Sequence, residues 1–194
     1  MGALMLERRA LVSALLRDRG DLLVVPGLGS CTWDVAAAGD HPLNFYMWGA
    51  MGGTAMIGLG LALARPDRRV AVITGDGDLL MGLGSLATIG VQQPKNLAVI
   101  ALDNRHYGET GMQASHTDAG IDLVKIAEGC RFKIAYAMSE MAEAEPLRTL
   151  LHTGEGPIFV QARISPDDAP RVLPTHDGHA IKFRFMQALG SRAG

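Results

Sequence analysis

The chain has 194 residues, the size of one ordinary domain. Hydrophobic residues make up 48% of it and charged residues 20%, a composition that excludes intrinsic disorder. The formal net charge of −2 argues against general binding to nucleic acid or to anionic membranes, because both need a basic surface. The two cysteines, Cys31 and Cys130, lie far apart, which favours a reducing cytoplasmic location and excludes a CxxC-type zinc or iron–sulfur site built by this chain alone.

The amino-terminal segment predicts a helix over Leu4–Arg17, with leucines on one face and charges spread along it. Because it lacks an uninterrupted apolar region and a cleavage site, we expect no signal peptide and a cytoplasmic protein. Residues 47–64 carry no charge and have the length of a membrane span. Glycines and Thr54 divide this stretch into a strand end, a turn and a buried helix, so we expect no membrane span.

Short apolar runs rich in β-branched residues alternate with helical patterns along the chain. The predicted strands are Asp21–Pro26, Leu43–Met47, Val70–Thr74, Leu97–Leu102, Phe132–Tyr136 and Ile158–Arg163. Besides the first helix, the predicted helices are Gly53–Ala64, Leu79–Gln92, Ile121–Glu128, Met138–His152 and His179–Leu189. Several strands are apolar on both faces, as strands between two helical layers are. The alternation predicts one α/β domain over residues 1–194: a doubly wound, mainly parallel six-stranded sheet with helices on both faces.

Segments rich in glycine and small polar residues follow four of the predicted strands. They read PGLGSCTWD, WGAMGGT, GDGD and DNRHYGETG. In a parallel sheet the ligand site lies beyond the carboxyl ends of the strands, so we expect these loops to converge. We interpret them together as a pocket for phosphate and metal.

The clearest motif is Gly75-Asp76-Gly77, followed after residues 78–102 by Asp103-Asn104. Asp76 offers a carboxylate oxygen and Asn104 an amide oxygen, and both suit Mg²⁺. The glycines would let backbone N–H groups approach a diphosphate, at which the next helix would point its positive end. GDG alone is a common turn tripeptide, but its spacing to Asn104 and the second glycine-rich strand end favour a metal–diphosphate site.

With these residues the chain resembles the diphosphate-binding domain of the thiamine-diphosphate (ThDP) enzymes, whose signature is GDG, a spacer and then NN. Asp103 stands here in place of the first Asn. The resemblance implies the ThDP-binding fold, ThDP and Mg²⁺ as cofactors, and Asp76, Asn104 and the main-chain carbonyl of His106 as metal ligands. Because the second Asn position is the ligand, we expect Asp103 to be tolerated.

The stretch DNRHYGETGMQASHT is similar to the sulfopyruvate and phosphonopyruvate decarboxylase group of that family, in which this segment closes over the cofactor. The resemblance implies the ThDP- and Mg-binding subunit of a two-subunit 2-oxoacid decarboxylase, which releases an aldehyde without oxidation from a small anionic 2-oxoacid. The cofactor-binding residues that it implies lie in the strand-end loops: Ser30, Gly49, Met51, Gly75, Asp76, Gly77, Asp78, Asn104, His106, Tyr107 and Gly108.

Two of these roles have a simpler alternative. In the resembled family a strand-end glycine offers its carbonyl to the 4′-amino group of the cofactor, and a bulky residue two positions later forces the cofactor rings into a V. These roles map onto Gly49 and Met51, although Met51 could instead be a gap-filling core residue. Ser30 would help hold the diphosphate by similarity, and a plain helix N-cap is its alternative.

Three histidines need separate interpretation. His116 lies in the loop expected over the site and is a candidate proton donor for decarboxylation; a solvent-exposed loop histidine remains the alternative. His176 and His179 have no evident third metal ligand, so we interpret THDGH as a helix start with Asp177 near the cap.

The glycine pattern of residues 82–87 matches a loose dinucleotide motif but falls inside a predicted helix, so we expect no dinucleotide site.

The resemblance also implies a partner, because the glutamate that activates ThDP in these enzymes comes from a separate pyrimidine-binding domain. We expect a pyrimidine-binding alpha subunit of similar size that carries this glutamate in a hetero-oligomer, with an exposed apolar surface around residues 47–56. Arg105 and His106 are candidates for binding a second anionic group of the substrate. A carboligase subunit of the acetolactate-synthase type and a non-catalytic ThDP-binding or assembly module remain open. Two cysteines are too few for the cluster of a 2-oxoacid:ferredoxin oxidoreductase subunit.

Overall fold

The computed structural model describes residues 5–167 and 169–190. Its strands are β1 (Leu23–Pro26), β2 (Val70–Gly75), β3 (Leu97–Asp103), β4 (His106–Tyr107), β5 (Gln113–Ala114), β6 (Ile134–Met138) and β7 (Ile158–Arg163). Five of them form a parallel sheet in the order β1-β2-β3-β7-β6, while β4 and β5 pair as a separate antiparallel hairpin. After β3 the chain first forms β6, at the edge of the sheet, and then β7, which lies between β3 and β6. The spatial order of the strands therefore reverses beyond β3. Such reversals place ligand sites at the carboxyl ends of the strands.

Helices cover both faces of the sheet. They are α1 (Arg8–Leu16), α2 (Ser30–Ala37), α3 (Thr54–Ala64), α4 (Asp76–Met81), α5 (Gly84–Gln92), α6 (Leu123–Gly129), α7 (Ala144–Thr153) and α8 (Gly178–Ala188), with a short 3-10 turn at Met141–Glu143. Buried side chains of α1, α2 and α7 pack on one face, and those of α3, α5 and α6 pack on the other. This is the three-layer α/β architecture that the sequence predicts.

Each central strand is buried on both faces because successive side chains point to opposite layers. In β2, Val70 and Val72 belong to one core cluster, and Ala71 and Ile73 belong to the other. None of these four side chains is more than 1% exposed. The double burial explains why the strands read as continuous apolar runs rather than as alternating patterns.

The predicted strand Leu43–Met47 is wrong, so the sheet has five strands and not six. The segment makes a single bridge to β1, between Asn44 and Val24. The fully buried side chain of Asn44 accepts a hydrogen bond from Arg19 and donates one to Tyr46. This polar side-chain network replaces the ladder that a longer strand would have formed.

Three helix predictions also change. The predicted helix Leu79–Gln92 is two helices, α4 and α5, which are separated at residues 82–83. Helix α2 was not predicted, since its sequence looked like part of a glycine-rich loop. Helix α1 begins at Arg8, where Glu7 accepts hydrogen bonds from two backbone N–H groups; Leu4 lies outside the described residues. The predicted helix Met138–His152 starts instead with the end of β6 and the 3-10 turn.

The structure confirms the helix start at Asp177 and shows the uncharged segment to contain the short helix α3. Within the part of the chain that the structure describes, no helix is both long and apolar enough to cross a membrane, and α3 has only 11 residues. Asp177 caps α8 and accepts hydrogen bonds from the backbone N–H groups of His179 and Ala180 at 2.9 and 3.0 Å. His176 contacts the ring of Trp48 edge-on, with a centroid separation of 3.7 Å.

Candidate functional site

The loops after β1, β2 and β3 converge on one cavity of about 360 Å³. It is lined by all the predicted cofactor-binding residues except Gly49: Ser30, Met51, Gly75, Asp76, Gly77, Asp78, Asn104, His106, Tyr107 and Gly108. Gly49 is exposed nearby in the chain but does not line this cavity. The prediction that these separate segments meet at the carboxyl edge of the sheet is confirmed.

Asp76 is one of two buried carboxylates that line this cavity, the other being Asp78. It follows β2 directly as the first residue of α4 and is 2% exposed. Its Oδ2 accepts hydrogen bonds from Ser115 Oγ at 2.5 Å and from Thr117 Oγ1 at 3.3 Å. Burial raises the pKa of Asp76 to about 6, aided by the nearby Asp103 carboxylate and opposed by the Ser115 hydrogen bond. A bound cation would relieve this cost of keeping the buried carboxylate ionised.

Asn104 brings an amide oxygen to the same cavity. Its Oδ1 accepts a hydrogen bond from the backbone N–H of His106 at 2.9 Å, which fixes the orientation of the side chain. Among residues 5–167 and 169–190, no group of three or more His, Cys, Asp or Glu side chains could hold a metal ion. A divalent cation at Asp76 would therefore also need amide and carbonyl oxygens and the oxygens of a bound anion, as Mg²⁺ commonly does beside phosphates.

Asp103, which occupies the position where the resembled signature has its first Asn, is a fully buried hydrogen-bond acceptor. Its Oδ1 accepts from Thr117 Oγ1 at 2.7 Å and from the Arg105 backbone N–H at 3.0 Å. Its Oδ2 accepts from Gln161 Nε2 at 2.6 Å and from Arg163 Nη1 at 2.8 Å. The carboxylate joins the end of β3 to β7 and to the segment that carries Thr117, so its role in the structure is to hold these elements together.

Asp78 joins two of the strand-end loops. Its Oδ1 accepts a hydrogen bond from the backbone N–H of Gly52 at 2.5 Å, and its Oδ2 accepts one from the hydroxyl of Thr74. The predicted cofactor-binding residue therefore lines the cavity while both of its carboxylate oxygens are engaged by protein donors. These contacts place the turn at residues 49–53 beside the end of β2.

Two glycines allow close packing around the cavity. A Cβ on Gly77 would lie 2.6 Å from Cδ1 of Tyr107, so the tyrosine ring rests directly on the GDG loop. A Cβ on Gly82 would overlap the backbone carbonyl oxygen of Gly52. The glycine pattern of residues 82–87 does not lie inside one helix, as the sequence predicted, but at the junction of α4 and α5, where Gly82 allows the close approach to Gly52.

We expect Gly82→Ala to lower the free energy of unfolding by about 1–3 kcal/mol, because the added methyl group would meet backbone that cannot rotate away. Urea denaturation would measure this loss. Gly84→Ala is the matched control, since a Cβ there meets nothing within 4 Å and alanine favours the helix. Equal stability of the two variants would contradict the close contact between Gly82 and Gly52.

Helix α2 presents its amino terminus to the cavity, and a carboxylate already occupies that position. The backbone N–H of Ser30 donates a hydrogen bond to Glu109 Oε1 at 3.2 Å. The N-cap of α2 is Gly29, at φ +66°, and any Cβ there would overlap the Glu109 carboxylate. The alternative that Ser30 is the N-cap is therefore wrong: the N-cap is Gly29, and Ser30 is the first residue of the helix. Helix amino termini attract anions, and Glu109 shows that this one accepts an anionic oxygen.

Met51 lies between this cavity and a second one of about 510 Å³. The second cavity is mainly apolar and is lined by Met51, Gly77, Leu80, Met81, Leu83, Tyr107, His116, Ile121 and Ile126. Met51 is 38% exposed, so the alternative that it fills the core is wrong for this chain. In the segment expected to be an apolar surface, Met51 and Met56 are exposed and Met47 is buried.

His116 lines the second cavity and not the first. Its side chain is exposed, as expected for a solvent-exposed loop histidine. The ring nevertheless has a hydrogen-bond partner. Its Nδ1 lies 2.8 Å from Tyr107 Oη, a hydrogen bond whose donor depends on the imidazole tautomer. The side chain therefore has a defined orientation beside the residues shared by the two cavities.

Several residues of the site were not predicted. Ser115 and Thr117 hold Asp76. They stand two positions apart, one on each side of His116, and this pair of hydroxyl residues is a signal that the sequence offered. Arg8 and Arg171 also line the first cavity, but they come from distant parts of the chain and no motif marks them. The Arg171 guanidinium lies over the ring of Trp33, 4.5 Å from its centroid.

Comparison with known proteins identifies the family. Residues 27–162 match the family model described as the C-terminal TPP binding domain of thiamine pyrophosphate enzymes. The chain belongs to this family. Sulfopyruvate decarboxylase subunit beta of Methanothermobacter thermautotrophicus is 36% identical over 184 residues, which cover 95% of this chain and 96% of the relative. Phosphonopyruvate decarboxylase of Streptomyces viridochromogenes is 38% identical over 160 residues, which cover 79% of this chain and 40% of the relative.

Solved structures show the same fold. A thiamine diphosphate-dependent 4-hydroxybenzoylformate decarboxylase of Rhodococcus jostii aligns with a TM-score of 0.65 at 22% identity, over 87% of this chain and 34% of that chain. Benzoylformate decarboxylase of Polynucleobacter necessarius gives a TM-score of 0.68 at 16% identity, over 85% and 34%. This chain thus corresponds to about a third of those structures. The family, the fold and thiamine diphosphate as cofactor, all indicated by the sequence, are confirmed.

Proposed function

We propose that this chain is the ThDP- and Mg²⁺-binding subunit of a two-subunit decarboxylase that acts on a small anionic 2-oxoacid of the sulfopyruvate or phosphonopyruvate type. The observation that carries the proposal is the similarity, along almost the whole of both chains, to a sulfopyruvate decarboxylase beta subunit. The converging strand-end loops, with a buried carboxylate and an amide at the predicted positions, support it.

The donors in the first cavity fit a metal–diphosphate pair. Asp76, Asn104 and the main-chain carbonyl of His106 would hold Mg²⁺, with diphosphate oxygens and water as the other ligands. The amino terminus of α2 at Ser30 would receive the diphosphate. When bound, ThDP would supply the carbon nucleophile and the electron sink that loss of carbon dioxide from a 2-oxoacid needs. Gly49 and Met51 would contact its rings.

His116 is the residue that we assign as proton donor. Decarboxylation of a 2-oxoacid anion to an aldehyde consumes one proton, which must reach the carbon that loses the carboxylate. An imidazole serves this purpose near neutral pH. His116 lies in a cavity that shares Met51, Gly77 and Tyr107 with the first cavity, which supports its assignment to the reacting end of the site.

The proposal includes a pyrimidine-binding alpha subunit of similar size, which would supply the catalytic glutamate. The exposed side chains of Met51 and Met81, beside the apolar second cavity, support an interface at this edge. The net charge of −2 supports a small-molecule substrate rather than nucleic acid or a membrane. The free thiols of Cys31 and Cys130 support a cytoplasmic location.

A second anionic group on the substrate would need a cation. Arg105 and His106 are the predicted candidates, and His106 lines the first cavity whereas Arg105 is exposed beside it. Arg8 and Arg171 also line that cavity. A guanidinium group pairs well with the planar or tetrahedral oxyanions that sulfonates and phosphonates present.

Purification of the tagged chain from its native cells tests the proposal. We expect a stoichiometric companion of similar mass, and we expect the pair, with ThDP and Mg²⁺, to convert sulfopyruvate or phosphonopyruvate to the aldehyde faster than pyruvate. Products with a new carbon–carbon bond would indicate a carboligase instead. Mg²⁺-dependent ThDP binding without turnover of any 2-oxoacid would indicate an assembly module, and robust turnover by the chain alone would contradict the two-subunit arrangement.

We expect Glu109→Gln to tighten ThDP binding by about threefold to tenfold, because the neutral amide competes less well than a carboxylate for the amino terminus of α2. Isothermal titration of the purified complex with ThDP in the presence of Mg²⁺ would measure the affinity. Glu128→Gln makes the same charge change at an exposed position of α6 and serves as the control. Unchanged or weaker binding by the Glu109 variant alone would show that this carboxylate does not compete with the cofactor.

A further inference from the structure

Tyr107 lies at the boundary between the two cavities and lines both of them. Its ring rests on Gly77, and its hydroxyl oxygen lies 2.8 Å from His116 Nδ1. The two rings meet edge to face, with centroids 6.3 Å apart and an interplanar angle of 90°. The tyrosine is itself held by the hairpin, because its carbonyl oxygen accepts the backbone N–H of Met112 at 3.0 Å.

The backbone on both sides of His116 is anchored. The buried side chains of Ser115 and Thr117 bind Asp76, and Thr117 also binds Asp103. These contacts fix the chain at both neighbours, while the imidazole itself projects into the second cavity. With the backbone held in this way, the remaining freedom of His116 is the rotation and protonation of its ring, and Tyr107 is the side chain that contacts the ring nitrogen.

We propose that Tyr107 is a positioning residue for His116: its hydroxyl oxygen accepts a hydrogen bond from Nδ1–H in both protonation states, which leaves Nε2 as the nitrogen that gains and loses the proton. The inference rests on the proposed function, since it assigns the reacting nitrogen of the proposed proton donor. A phenol oxygen can accept this bond and still donate its own hydrogen elsewhere. With Nδ1–H donating to the phenol oxygen, the neutral ring keeps its proton on Nδ1 and leaves Nε2 free.

The proton balance of the step is as follows. The 2-oxoacid anion loses carbon dioxide, and the carbon that carried the carboxylate takes one proton, which gives the aldehyde. The proton comes from Nε2–H of the imidazolium and leaves a neutral ring that keeps its proton on Nδ1. Nε2 then takes up one proton from the solvent, which restores the imidazolium, so that each turnover consumes one 2-oxoacid anion and one proton and gives one aldehyde and one carbon dioxide.

The test compares Tyr107→Phe with the wild type in the complex with its partner subunit. Phenylalanine keeps the ring on Gly77 and removes only the hydroxyl. We expect kcat to fall about tenfold, with KM and the ThDP affinity changed by less than about twofold, whereas His116→Gln lowers kcat by about a hundredfold. In the His116→Gln background, Tyr107→Phe should cause no further loss, because it acts through the histidine. Tyr136→Phe removes a hydroxyl from a half-buried residue of β6 and is the matched control.

Nitrogen-15 NMR of histidine-labelled complex gives a readout that is independent of turnover. We expect neutral His116 to carry its proton on Nδ1 in the wild type and mainly on Nε2 in Tyr107→Phe. The same tautomer in both proteins, or an additive loss of kcat in the double variant, would overturn the assignment. If the wild-type complex turned over no 2-oxoacid, the proposed function would fail, and the NMR comparison would still decide whether Tyr107 sets the tautomer.

Discussion

Asp76→Asn is expected to lower Mg²⁺-dependent ThDP binding by at least about a hundredfold and to remove turnover by the complex, because the metal loses its one charged protein ligand. The fold should survive. The amide oxygen of asparagine can still accept the Ser115 hydrogen bond, and the substitution removes the buried charge at this position. Isothermal titration with ThDP and Mg²⁺ would measure the binding, and thermal unfolding would measure the stability.

The direction of the stability change follows from the pKa. Because burial raises the pKa of Asp76 to about 6, the ionised carboxylate is less favourable in the folded chain than in the unfolded chain. At pH 7 without metal, the asparagine variant should therefore be at least as stable as the wild type. Asp118→Asn removes an exposed charge from the residue after Thr117 and is the control. Undiminished cofactor binding by Asp76→Asn would exclude Asp76 as the metal ligand.

Asp103→Ala is expected to lower the free energy of unfolding by about 3–5 kcal/mol, because it leaves buried donors and a guanidinium group without their acceptor. Asp103→Asn, which restores the residue of the resembled signature, should cost less, about 1–3 kcal/mol. An amide supplies only one acceptor oxygen, so whichever way it points, its NH₂ group faces either the Arg105 N–H or the Arg163 guanidinium. Urea denaturation of the three proteins would rank them.

The position of Asp103 makes this ranking informative. If Asp103→Asn were as stable as the wild type, the four hydrogen bonds of the carboxylate would not be needed for stability. Aspartate and the asparagine of the family signature would then be equivalent at this position. Asp118→Ala, at the exposed position after Thr117, should change the stability by less than about 0.5 kcal/mol. Retained ThDP affinity in Asp103→Asn, measured under conditions where it is folded, would show that the effect is on the fold.

The sequence predicted the fold and the location of the first cavity well because both depend on local signals. Strands that are apolar on both faces predict a sheet covered by helices on both sides. The GDG motif lies at the end of β2, and Asn104 lies at the end of β3. The predictions that were wrong depended on contacts at a distance. Leu43–Met47 has the composition of a strand, yet the buried side chain of Asn44 takes Arg19 and Tyr46 as partners, and the segment leaves the sheet.

Helix α2 shows the opposite case, in which a helix was hidden in a glycine-rich loop. Its N-cap is a glycine at positive φ with no side-chain hydrogen bond, so the usual capping signal is absent. The glycine is needed there because Glu109, from the distant hairpin, lies against it. A single sequence cannot reveal such a pairing between two loops.

By itself, the sequence determined the α/β fold class, the five strands of the parallel sheet, the edge of the sheet at which the site lies and the residue types that suit Mg²⁺ and diphosphate, because periodicity and strand-end motifs are read along the chain. Only the tertiary structure decided how those residues are used. It showed that Asp103 holds strands together, that Ser115 and Thr117 hold Asp76, and that Tyr107 contacts His116. The reason is physical: burial, hydrogen-bond partners and shifted pKa values arise when segments far apart in the chain are brought within a few ångströms, and the folded backbone alone sets those distances.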